Sequence, residues 1–160
     1  MNFSLTGFDN PVTTSVGSLL ANLPELLGAM STEPAHFVMV AEFSDGRYFQ
    51  VWSDPFGNVN GEVLSNLNIG DLIALSAEDE QELRRLGFEE PITYLSPNFS
   101  FEATTPSERL QLLAMLVSAV LDVLGEEMNN VVEVRTWQVQ VLDSDGKNMV
   151  RCEARVYLDN

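Results

Sequence analysis

The sequence predicts an α+β protein in which an antiparallel sheet, built from a three-stranded meander and a C-terminal hairpin, packs against helices. Three observations predict it. Apolar residues recur at helical spacing over Val16–Met30 and again over Leu110–Leu124. Short apolar or alternating runs, separated by Ser44-Asp45-Gly46 and Asp54-Pro55-Phe56-Gly57, mark strands joined by tight turns. The chain has 160 residues, 45% of them hydrophobic, and a chain of this length buries roughly 70% of the surface it exposes when unfolded. One core therefore suffices, and residues 1–160 read as a single domain with the element order αβββααββ.

The first helix spans Val16–Met30, where Val16, Leu19, Leu20, Leu23, Leu26, Leu27 and Met30 share one face. Pro24 falls inside it; an interior proline costs ~3 kcal/mol, so the helix either bends there or divides. His36–Phe43 is apolar at nearly every position, as expected of a strand covered on both faces. Arg47–Ser53 returns with Phe49 and Val51 on one face and Tyr48, Gln50 and Trp52 on the other. Val59–Ser65 completes the meander. Ser76 caps a second helix, Ala77–Leu86, which starts with acids beside the positive end of its dipole and stops at Gly87. Thr105-Pro106-Ser107-Glu108 opens a third helix as cap, first-turn proline and capping-box glutamate, and Gly125 ends it after Leu124. Val131–Leu142 and Met149–Leu158, joined by Ser144-Asp145-Gly146, form the closing hairpin.

Charge excludes several functions. Eight basic residues against 24 acidic ones give a net charge of -16, whereas nucleic-acid binding needs clustered Lys and Arg. Lys147 is the sole lysine, which leaves no polybasic patch for a membrane surface. The most apolar run, Leu110–Leu124, is interrupted by Gln111, Ser118 and Asp122 and is shorter than the ~20 residues of a membrane span. The N-terminus lacks the basic stretch of a signal peptide, so cytoplasmic residence is the default expectation.

The reactive inventory is equally sparse. One cysteine and one histidine exclude an internal disulfide and a Cys/His zinc cluster. His36 sits beside Pro34 at a strand start, far in sequence from Cys152, which alternates with Ala154 and Val156 as a small core residue. Asp143-Ser144-Asp145-Gly146 fails as a calcium loop, because aligning its glycine puts Val141 and Cys152 at ligand positions. Neither a phosphate-binding loop, nor a dinucleotide fingerprint, nor a GxSxG motif occurs. Glu78, Asp79, Glu80, Glu82, Glu89 and Glu90 read as a solvated face, with Glu80 and Arg84 at i,i+4. No metal and no cofactor are expected.

Surplus apolar surface is what remains. On the third helix Leu110, Leu113, Val117, Leu121 and Leu124 make one apolar face, and Leu112, Leu116, Ala119 and Val123 make a second with Met115 at its edge. Together they exceed the ~100° stripe of a surface helix. Either the helix is buried between sheet and other helices, or the second face meets a twin subunit or a client. Tyr48, Trp52 and Phe56, with Trp137 further on, either pack internally or present aromatic surface beside a sheet edge for an added peptide strand.

Three stretches resemble a known family. Gly46-Arg47-Tyr48-Phe49-Gln50-Val51 after a first strand, Leu75-Ser76 through Leu83-Arg84-Arg85-Leu86-Gly87-Phe88, and Pro97-Asn98-Phe99 before a capped apolar helix stand in the same order in the TY-Chap domains of actinobacteria. Those domains are relatives of the YbjN and type III secretion chaperone folds, and the resemblance spans Val16–Leu124. It implies a secretion-chaperone-like fold that binds peptides or protein segments without catalysis, usually as a dimer. The expectation is thus a non-enzymatic, chaperone-like homodimer with a protein client. Two alternatives stand beside it: an acidic decoy that inhibits a nucleic-acid-binding protein, and a small enzyme using convergent carboxylates of shifted pKa.

Overall fold

Alternation decides the architecture. In β4 (Tyr48–Ser53) and β5 (Val59–Val63) every second residue is buried and those between are half-buried, so helices cover one face of the sheet and leave the other open. This holds in a computed structural model of the chain, which describes residues 3–4, 12–32, 36–64, 74–91, 98–141 and 149–156. The remaining elements are β1 (Phe3–Ser4), β2 (Val12–Ser15), α1 (Val16–Thr32), β3 (His36–Phe43), α2 (Ala77–Leu86), β6 (Phe99–Ala103), α3 (Pro106–Ser118) with a π-helical turn (Ala119–Val123), β7 (Val131–Val141) and β8 (Met149–Val156). All strands belong to one antiparallel sheet in the order β1-β8-β7-β3-β4-β5-β6, with β2 also paired to β7.

The meander and the C-terminal hairpin are both present, but the order αβββααββ omits three strands. β1 and β2 are two and four residues long, too short for a two-residue period to show. β6 is the five residues FSFEA directly before the third helix's cap, and it extends the meander along β5. β3 also differs from expectation. Met39, Ala41 and Phe43 are buried, whereas Val38, Val40 and Glu42 across the pleat are half-buried. Its position between β4 and β7 screens those valines sideways, and no helix among the described residues lies above them. Ser65, the Ser144-Asp145-Gly146 turn, Leu142 and Leu158 lie outside the described residues, as do the side chains of His36 and Cys152.

The helices form for local reasons. All seven apolar residues read onto one face of the first helix are buried, and α1 continues through Pro24 as one element. Its first N–H groups find carbonyls across the chain, Val16 N donating to Asn130 O at 2.9 Å and Gly17 N to Met128 O at 2.7 Å. At α2, Ser76 and Asp79 form a full capping box and Gly87 closes the helix in the left-handed conformation. At α3, Thr105 Oγ1 accepts from Glu108 N at 3.1 Å, and the Glu108 carboxylate takes the Thr104 and Thr105 hydroxyls, each at 3.0 Å. The Leu124 N–H reaches back to Ala119 O, five residues away, which makes the last turn π-helical.

α1 and α3 both lie on the buried face of the sheet, and one glycine sets how closely α3 approaches. A Cβ built on Gly61 of β5 would stand 2.4 Å from a Leu112 methyl, and Leu112 is itself fully buried. Gly61→Ala must displace that leucine within a packed core, and denaturant titration is expected to show a loss of about 1–3 kcal/mol. Gly28, in the middle of α1, is the opposite case. A Cβ there meets nothing within 4 Å, so Gly28→Ala relieves helix-interior flexibility without a clash. The same titration should show a gain of roughly 0.5–1 kcal/mol.

Candidate functional site

The third helix turns the other way round from what a partner surface requires. Leu112, Met115, Leu116, Ala119 and Val123 are all buried in the chain's own core, so none of the five is available to a twin subunit or client. The other stripe is the outer one: Leu110 is 69% exposed, and Leu113, Val117 and Leu121 are half-buried. Of that stripe Leu124 alone is buried. The physical reason is the Gly61–Leu112 fit, which seats the Leu112 side of the helix against β5. Leu116→Glu would set a charge among apolar side chains with no partner, and the expected result is loss of the cooperative unfolding transition. A folded monomer instead, seen by circular dichroism and sedimentation, would contradict the assignment.

The aromatic candidates separate into different roles. Trp52 stands on the open sheet face opposite Val38, and β4 is an interior strand, so Trp52 is not beside an edge and cannot flank an added strand. Tyr48 is a tether: its hydroxyl donates to Asn98 Oδ1 at 3.1 Å, linking β4 to the entry of β6. Phe56 projects from the β4–β5 turn at 89% exposure. Its N–H and that of Asn58 both donate to Asp54 Oδ1, at 2.8 and 3.0 Å. The turn is pressed on the end of α1, since a Cβ on Gly57 (φ +85°) would stand 2.6 Å from Ser31 O. Position 137 pairs with Val38 in the backbone register; the Trp137 side chain lies outside the described residues.

Register brings together a surface that no sequence motif marks. Along the open face Val38 lies opposite Trp52, Val40 opposite Gln50 and Arg135, and Glu42 opposite both Tyr48 and Glu133. Asn60 lies opposite Trp52 and Glu102, and Gln50 hydrogen-bonds Glu62. The centre is thus valine and tryptophan, and the rim holds Glu42, Glu62, Glu102 and Glu133 against one cation among the described side chains, Arg135, 3.5 Å from Glu133. Glu42 and Glu133 face each other directly, a like-charge cross-strand pair, over a cleft of about 210 Å³ shared with Phe43, Ser44 and Val131. The clue in the sequence was the unbroken apolar run of β3, which needs no second layer if its outer valines bind something.

A second apolar surface lies on the opposite side. Pro24, Leu27 and Gly28 of α1 and Pro106, Arg109, Leu110 and Leu113 of α3 line a groove of about 300 Å³. Elsewhere the polar groups answer to structure. Arg85 hydrogen-bonds Glu82 and holds its carboxyl below the usual range, and Glu82 in return raises the guanidinium. That is a surface ion pair on α2, like Arg84 with Glu80 at 3.4 Å, and not a pair of convergent acids. Among the described residues no group of three or more His, Cys, Asp or Glu is placed to hold a metal. No helix among them is long and apolar enough to cross a membrane.

Sheet, one-sided helical cover and exposed apolar surface define a small α+β domain of the chaperone-like kind. Residues 18–138 match the TY-Chap3 family, described as T3SS (YopN, CesT) and YbjN peptide-binding chaperone 3. That is well over half of the chain, and the chain belongs to this family. The match runs beyond Leu124 into β7, so the strand that pairs with β3 is part of the family pattern. No curated protein and no solved structure matches the chain.

Proposed function

We propose that the protein is a non-catalytic, chaperone-like carrier that holds a client segment, apolar and basic, on the open face of its sheet. The observation that carries this is the strip Val38, Val40 and Trp52, left half-buried inside a frame of four glutamates. Membership of a peptide-binding chaperone family supports it. So does the facing pair Glu42 and Glu133, whose repulsion a client lysine or arginine would relieve. The client lies across the face instead of extending the sheet at β6. There Ser100 already exchanges both backbone hydrogen bonds with Glu89, at 2.7 and 3.1 Å. A homodimer, if formed, uses some surface other than the buried side of α3, and sedimentation at tens of micromolar decides it. Cytoplasmic residence remains our reading of its setting.

The decoy alternative finds four glutamates on one face, but valines and a tryptophan interrupt them at strand spacing, unlike a continuous row of phosphates. A peptide array from the native proteome, read at two salt concentrations, tests the proposal. Apolar segments with basic residues are expected to bind below ~100 μM, a weak but specific level on the affinity scale. Trp52→Ala should raise the dissociation rate about tenfold, since buried aromatic anchors set residence time. Glu42→Gln with Glu133→Gln should slow association and flatten its salt dependence. Binding that ignores Trp52→Ala sinks the sheet-face reading. Capture of DNA-binding proteins at their DNA sites would favour the decoy.

A further inference from the structure

The geometry points to a second recognition site in the groove between α1 and α3, one that takes an aliphatic side chain of a partner protein segment together with a neighbouring carboxylate. It rests on other residues than the sheet-face reading and stands or falls separately.

Its floor is kept low at a cost to the helix. Pro24 and Gly28 are one turn apart on α1, both are poor residues for a helix interior, and both line the groove. Nothing packed nearby demands a glycine at 28, because an added Cβ would meet no atom within 4 Å. The two residues share one effect, which is an open channel along α1. Across it Leu110 offers an aliphatic wall at 69% exposure, with Leu113 beneath. The cavity, about 300 Å³, is large enough for one or two aliphatic side chains and too small for a folded partner surface.

Charge fixes what accompanies the aliphatic group. Arg47, Arg84, Arg85 and Arg135 each pair with a carboxylate. Among the described side chains Arg109 is the arginine without such a partner, although 24 acids are present in the chain. Arg109 lines the groove, and the planar donor fork of a guanidinium suits a carboxylate in a bidentate bond. A second copy of the chain is disfavoured as occupant, since two whole subunits of net charge -16 repel over their full surfaces, whereas a short segment brings only the acid that Arg109 takes. The occupant is therefore an acidic–aliphatic segment of another protein, the reverse of the basic client expected on the sheet.

Two fluorescein-labelled dodecapeptides test this on the full chain. They share leucines at i and i+4 and differ in carrying Glu or Lys beside the second leucine. The Glu peptide should bind at least fivefold more tightly than the Lys peptide, and Arg109→Gln should reduce the difference below twofold. Gly28→Leu, which fills the floor, and Leu110→Ser should each weaken the Glu peptide about tenfold, while Trp52→Ala leaves it unchanged. Leu110 is exposed, so its variant keeps the test valid even if Gly28→Leu fails to fold. Equal affinities for the two peptides, indifference to Leu110→Ser, or loss on Trp52→Ala would each overturn the site. A wild-type dimer that Leu110→Ser dissociates would assign the groove to a second copy and overturn it too.

Discussion

The antiparallel register between β3 and β7, running from His36 opposite Val139 to Phe43 opposite Val132, is the interaction on which the rest of the structure depends. It joins the first third of the chain to its last quarter, so it closes a long loop against chain entropy. Its phase decides which residues meet the helices. Met39, Ala41, Phe43, Val132 and Val134 belong to the buried core, whereas Val38, Val40 and Glu133 face outward. A slip by one residue would bury Glu133 and expose Val132 and Val134. Neighbouring contacts lock the phase at the Phe43–Val132 end. Arg47, paired with Asp45 at 2.7 Å, also donates to Leu124 O, tying the β3–β4 hairpin to the end of the π-helical turn. The start of α1 is hydrogen-bonded to Met128 and Asn130, just ahead of β7.

What was legible in the sequence was what is decided locally. The buried face of α1, the cap of α2 and the start of α3 depend on spacing and on residues within one turn, and each stands where its pattern put it. Decisions made across the chain were not legible. Helical projection separates the two apolar stripes of α3 but is silent on which one meets the sheet. That choice belongs to Gly61, whose missing side chain admits Leu112 and no bulkier arrangement. The π-helical turn adds a residue to the last turn, so Val120 and Leu124 join Ala119 and Val123 in the core. A uniform 100° step cannot show that. β6 was missed because five residues beside a strong helix start carry too little pattern of their own.

The binding surfaces were half visible for the same reason. Trp52 was singled out by its alternation with Phe49 and Val51, and the structure keeps it on the open face. Its partners, Val38 and Val40, were hidden inside a run that looked wholly buried. Their exposure follows from the layers, since helices can cover a single sheet on one side and these do. Tyr48 has the same alternation as Trp52 but spends its hydroxyl on Asn98. An aromatic residue on a strand is therefore free surface or tether according to what lies at the end of its ring, which no spacing records.

The two surfaces differ in how charge acts on them. Around the sheet the glutamates are spread over a broad face, and with a net charge of -16 they create a field felt out to about one screening length, ~8 Å at physiological salt. Such a field accelerates the approach of a basic segment and aligns it, but contributes little once contact is made, because exposed charges remain hydrated. On the proposed reading Val38, Val40 and Trp52 then determine how long it stays. At the groove the balance is reversed. Arg109 is a single charge inside an overall acidic field, so it gives an approaching acidic segment no long-range help. Its contribution would arise at contact, where a segment seated against Leu110 and the low floor at Gly28 would shield the guanidinium from water. Salt should consequently act on the sheet face chiefly through association and on the groove hardly at all in association. On the proposed reading the two kinds of partner are separated by range as well as by sign.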